Sequence, residues 1–397
     1  MNTRTIAFSA LASLLAAGAL PAHAQDAAPV TAAQASALDA QFARFTPRPT
    51  KEVELDFSVW QDALRYMVLR MGPSTRQGAI EVQPLTGTRF VYGHDSRIRM
   101  EGNRIPFSML EPEAIAPLTE YREDLERIAA EVDIASLPRN QQLAFWINLH
   151  NVAVIEKIAL NYPVTSPSLI RLDGADTPLD ETRFITIGGT KISPKDIRTR
   201  IVFPNWDNPN VIYGFFRGEL GGPTIPRLAY TGANVEALLV ENGTEFVNSL
   251  RGVESMGGKL SVSAVFAEAA PFYYPQMGED LRSHLATLAE EEVTALLAAN
   301  REIKVGNYVD TVADLAGGER EPQLSNLIVN DEYPSVKLPP AVARLLAERR
   351  EKYRTLVEQG KVGTVRVLPN PGETIEPEEP AESTDTPQSE EPDQAAR

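Results

Sequence analysis

The sequence predicts an α+β fold, with helices packed around a small mixed or antiparallel sheet, and three observations predict it. Helical periodicity recurs along much of the chain, interrupted from the middle onward by short strand-like pieces. Those strand candidates are short, and they cluster between runs of helices instead of alternating with them, which argues against a doubly wound sheet. There is no GxGxxG or Walker-type loop, and no internal repeat.

The elements follow in chain order. Residues 1–24 have a basic start at Arg4, an apolar run from Ile6 to Leu20 and the small-residue step Ala22-His23-Ala24, the pattern of a cleaved secretory signal. An uncleaved anchor is the alternative, but the run is short for a spanning helix and Pro21 breaks it. Residues 25–53, Ala-rich and then punctuated by Pro47 and Pro49, read as a flexible linker. Residues 54–370 read as a single α+β domain. Trp60, Leu64, Val68 and Met71 fall at helical spacing before Gly72-Pro73, giving a first helix of about 15 residues. A second helix spans 118–132. A third spans 140–161 and ends before Pro163, as the restriction on pre-proline residues requires.

The middle of the chain then changes period. Phe184–Ile187, Gly188-Gly189 and Thr190–Ile192 make a hairpin signal. Val211–Phe216 reads as a buried strand running into the loop that ends Gly221-Gly222-Pro223. Helices return at 234–250, 280–298 and 339–358, with strands at 259–266, 302–308 and 362–368. The last 27 residues, 371–397, hold nine acids, one Arg and five prolines with almost no large apolar side chains, so they read as a disordered acidic tail.

Composition excludes several chemistries. The formal net charge is −16 and no basic stripe is present, which argues against nucleic acid as a partner. After the signal no stretch approaches 18 consecutive apolar residues, so no later membrane span is expected and the location is periplasmic or secreted. The chain has no cysteine, so disulfides, thiol nucleophiles, thiolate metal ligands and iron–sulfur clusters are all ruled out. Past the signal only His94, His150 and His284 remain, far apart and without metal-ligand spacing; neither a metal nor a cofactor is expected.

The third helix carries the most informative residues. LAFWINLHNV, residues 143–152, is apolar on nearly every side, so the helix must be internal. A buried amide without a partner costs roughly 1–3 kcal/mol, so Asn148 and Asn151 have partners there, structural or chemical. His150 beside them is the weak candidate for a base, with Asn148 or Arg217 as an oxyanion stabiliser; a hydrogen-bonded core histidine is the plainer reading. No GxSxG elbow or Ser–His neighbour appears. Gly221 and Gly222 let backbone approach a ligand, or simply turn the chain.

The FWIN-x-x-N stretch Phe145–Asn151 is followed by Tyr162-Pro163. Next come Asp196-Ile197, the Trp206 to Pro209 spacing, the Gly-Gly-Pro loop and Thr231-Gly-Ala-Asn234, all in the order of the bacterial family called domain of unknown function 547. The chain resembles that family from about 54 to 310, most closely over a core of about 139–310. The resemblance implies an α+β fold, papain-like in outline. It also exposes a departure: where the family places a Glu-His pair, a His and two cysteines, this chain has Arg198 and Thr199, Ile212, and Arg217 and Gly222. A Cys/His chemistry would be lost.

Two positions become Arg, whose planar fork suits carboxylate or phosphate groups. The leading expectation is therefore a non-catalytic, exported binding module. Asn148, Asn151, Arg198, Arg217, Gly221 and Gly222 would hold an anionic small molecule or cell-wall fragment. The plainer alternative pairs both arginines with local acids such as Glu219. An envelope hydrolase or transferase with a rearranged active site, and an assembly partner that docks another envelope protein, stay open.

Overall fold

The computed structural model describes residues 40–84, 91, 93–306, 308–319, 328–329 and 337–362. The export signal, most of the expected tether, the strand expected at 362–368 beyond its first residue, and the acidic tail lie outside the described residues.

The architecture is α+β and is organised around one buried helix. Helix α1 (Ser58–Met67) buries Trp60, Leu64 and Met67 and is shorter than its periodicity predicts, because the chain becomes extended at Val68 while Val68 and Met71 stay buried. Helix α2 (Pro112–Glu131) starts six residues earlier than expected, with Pro112 in the first turn, where its missing N–H costs nothing. Helix α3 (Arg139–Asn161) matches its expectation and buries nearly its whole middle, from Gln141 to Glu156. It is long and apolar enough to cross a membrane, yet 89% of its apolar window is covered by the rest of the protein.

The hairpin β1 (Ile185–Ile187) and β2 (Thr190–Ile192) pairs Ile187 with Thr190, with Gly188 and Gly189 both at positive φ (53° and 81°) as a two-residue hairpin turn needs. Ser193 and Asp196 form a capping box on the short helix α4 (Pro194–Asp196), which runs on into a π turn, Ile197–Val202.

Several boundaries need correction. The chain is already packed by residue 42: Phe42 and Phe45 are buried, and the Phe45 ring meets Trp146 edge-on at 5.3 Å, so residues 40–53 are part of the body. Val211–Phe216 is not a strand. Pro209–Gly214 winds as a 3-10 helix begun by Asn208, and the backbone of 214–216 is engaged by a side chain from α3. The strand expected at 259–266 stops at Val262, because Ser263 caps a new helix.

Helix α5 (Val235–Val247) precedes a three-stranded sheet of β3 (Val253–Met256), β4 (Lys259–Val262) and β5 (Ile303–Val305), antiparallel and then parallel. Between β4 and β5 lie α6 (Ala264–Tyr273), α7 (Met277–Leu288) and α8 (Glu291–Ala299). The single helix expected at 280–298 is thus two, broken at Ala289-Glu290. The two-residue strands β6 (Ile328–Val329) and β7 (Lys337–Leu338) pair before α9 (Pro340–Glu358).

Candidate functional site

Asn148 and Asn151 of α3 each clamp backbone from a segment that lacks a ladder of its own. Asn148 donates from Nδ2 to the Tyr230 carbonyl at 2.7 Å and accepts the Tyr230 N–H at Oδ1 at 3.1 Å. Asn151 donates to the Gly214 carbonyl at 2.9 Å and accepts the Phe216 N–H at 2.9 Å. A side-chain amide presents the same donor and acceptor pair as a peptide group, so each one replaces a neighbouring strand for an irregular segment. Each amide thus spends a donor and an acceptor on its segment.

Next to Asn151, His150 begins a chain of polar contacts. Its Nε2 lies 2.9 Å from Nη1 of Arg198, which can only donate, so Nε2 accepts and the proton sits on Nδ1, 3.1 Å from Asn151 Oδ1. Burial, and then the Arg198 charge, lower the His150 pKa to about 3. The ring is therefore neutral at ordinary pH, with its Nε2 lone pair held by a guanidinium.

Arg198 is the centre of the arrangement and is 0% exposed. Its Nε and Nη2 grip Glu268 at 2.8 and 3.0 Å, while Nη1 and Nη2 grip Asp180 at 2.7 Å each. With the contact to His150, all five N–H donors of the guanidinium have an acceptor. Arg217 joins from the other side, its Nη2 donating to Glu268 Oε1 at 2.8 Å. Two cations therefore face two carboxylates. Burial pushes both carboxylates up, but the adjoining Arg198 and Arg217 charges outweigh it, holding Glu268 at about 2 and Asp180 well below the usual range.

The two arginines singled out in the sequence thus converge, through one shared carboxylate, and His150 and Asn151 connect to them. Asn148 belongs to a separate contact at Tyr230. The cationic pocket expected from the substitutions is instead charge-compensated, and Arg198 keeps no donor for a ligand. The compensating acids are Asp180 and Glu268; Glu219 makes no ion pair with either arginine among the described residues.

The glycine loop is laced to a later segment. Leu220 N–H donates to Thr311 and Gly221 N–H to Val309, both at 2.8 Å, while Ala313 N–H donates to Gly218 at 2.7 Å. A Cβ on Gly221 would stand 2.8 Å from the Val309 backbone, so this position needs glycine for close approach. Gly222 N–H turns back to the Glu219 carbonyl at 3.3 Å. Neither N–H is aimed at a ligand. Burial, with Asp180 and Asp310 nearby, raises the Glu219 carboxyl to about 7, against the opposing pull of Tyr308 and Arg217.

Residues 134–247 match the family described as protein of unknown function, DUF547. That segment belongs to the family. No curated protein and no solved structure matches it. The DUF547 segment supplies Asn148, His150, Asn151, Asp180, Arg198 and Arg217, whereas Glu268, which ties the two arginines together, lies beyond it on α6. Sequence reasoning missed Asp180 and Glu268. They stand 18 and 70 positions from Arg198 in a chain with 54 acids, so spacing carried no signal. No group of three or more metal-ligating side chains occurs among the described residues.

Proposed function

We propose that this chain is an exported, non-catalytic module of the cell envelope, in which the centre of the DUF547 segment is a structural ion network. The carrying observation is the saturation of Arg198: five donors, five acceptors and no exposed surface. Two of the groups the hydrolase reading would use, His150 and Asn148, have another task. His150 accepts from Arg198, and Asn148 holds Tyr230. A second reading keeps the anionic ligand and places it at Arg217, whose Nη1 makes no hydrogen bond among the described residues and whose side chain is 16% exposed.

Both readings are tested on the purified protein with peptidoglycan fragments, following product by mass spectrometry and binding by thermal midpoint. No product is expected from the protein or from His150→Ala. Turnover that disappears in His150→Ala would overturn the non-catalytic reading. Binding at Arg217 predicts a midpoint rise with anionic fragments, about 2.7 kcal/mol of stabilisation at a hundredfold excess over Kd, that Arg217→Gln abolishes. An unchanged midpoint in both proteins removes the anion reading and leaves the structural one.

A further inference from the structure

Away from the ion network, a groove of about 920 Å³ opens where the start of α2 meets the end of α3. Its floor is Phe107, Leu110, Ile115, Ala159 and Leu160. Two of its hydroxyls are turned inward: Ser108 Oγ donates to Asp314 at 3.2 Å and Tyr162 Oη to the same carboxylate at 2.8 Å. Thr119 supplies the third, and no Lys, Arg or His lines the groove. The charged residues at its edge are Glu111 and Glu120, both exposed and without an ion pair among the described residues. Leu160 is 53% exposed and Met109, next to the floor, 51%.

An anion would find carboxylates and almost no donors in this groove. An uncharged apolar ligand would leave both glutamates unanswered. Glu111 stands at the N-cap of α2 and Glu120 lies further along that helix, so two carboxylates without an ion pair among the described residues border the apolar floor. We propose that the groove docks a cationic segment of another protein, with basic residues flanking apolar ones. This docking surface stands independently of the reading of Arg198 and Arg217. The occupant's apolar side chains lie on the Phe107–Leu160 floor, and its two cations reach Glu111 and Glu120, the arrangement in which peripheral charge sets orientation and apolar contact supplies area.

The test uses the full chain and a fluorescent pentapeptide, Lys-Leu-Ala-Leu-Lys, with Glu-Leu-Ala-Leu-Glu as its counterpart, read by anisotropy. The lysine peptide should bind, weaken as salt rises, and lose at least tenfold in affinity with Glu111→Gln/Glu120→Gln. Leu160→Ser, a change at an exposed position, should weaken it at an unaltered thermal midpoint. The equal charge change Glu241→Gln/Glu279→Gln, at exposed positions that do not line the groove, should leave it alone. If that pair weakens binding as much, the attraction is the diffuse field of an acidic chain and the proposal falls. It falls equally if both peptides bind alike or neither binds.

Discussion

Helix α3 takes part in two ion networks, and they invert one another. In the first, reached through His150, the fully enclosed partner is the cation: Arg198 is saturated by acids from two separate parts of the chain, and Asp180 remains 41% exposed. In the second the enclosed partner is the anion. Glu156 of α3 receives Arg122 Nε at 2.7 Å and Lys157 Nζ at 3.0 Å, and Arg122 also reaches Glu123 and Glu126 on its own helix α2. The second network joins two adjacent helices and has spare partners on the surface. The first joins the DUF547 segment to α6, and its central Arg198 has no spare donor. A buried charge with redundant partners tolerates loss of one of them; a saturated one at the meeting point of distant segments does not.

The largest effect therefore belongs to Arg198→Met. It leaves Asp180 and Glu268 facing one another with only Arg217 nearby, and breaking a buried pair in this way costs about 3–5 kcal/mol. The thermal midpoint should fall by on the order of 10 °C. Glu156→Gln should cost less, roughly 1–3 kcal/mol by urea denaturation, because Arg122 keeps Glu126 and Glu123. If the two variants were equally destabilised, the contrast between the networks would be lost.

A separate effect is the dependence on pH. Burial holds His94 and His150 at about 3 and His284 at about 4, all below the ordinary 6.5. Each histidine stays neutral in the fold, so its contribution is full above pH 6.5 and is lost as pH falls toward those values. Glu219 has the opposite sign. Raised from 4.5 to about 7, it favours the protonated form in the fold, so its contribution is full below pH 4.5 and is lost as pH rises to 7. Three histidines outweigh one glutamate, and the midpoint should drop on acidification below 6.5. In Glu219→Gln, the stability of the variant relative to the parent should grow as pH rises from 4.5 to 7; a constant difference would show that Glu219 does not titrate there.

Much of this fold was legible in the sequence because periodicity reports burial directly. Helix α3 and the Gly188-Gly189 hairpin match their sequence expectations nearly residue for residue. Val211–Phe216 failed for a physical reason. Its apolar, aromatic composition is that of a strand, but Pro209 starts a turn and the Asn151 amide takes the carbonyl and N–H that a neighbouring strand would have used. The amides signalled that something irregular needed holding, though not which segment. The arginines were visible as departures from the family pattern; the carboxylates that neutralise them were hidden among many acids.

The central claim is that Arg198 and Glu268 are mutual structural supports. A double-mutant cycle in urea, with Arg198→Met, Glu268→Gln and the double variant, measures it directly. The account predicts that the double variant is less destabilised than the two single changes added together, with a coupling on the order of 2 kcal/mol, inside the 0.5–3 kcal/mol range of contacting residues. Simple additivity, with Arg198→Met close to neutral, would contradict it and would return the arginine to the role of a free cation awaiting a ligand.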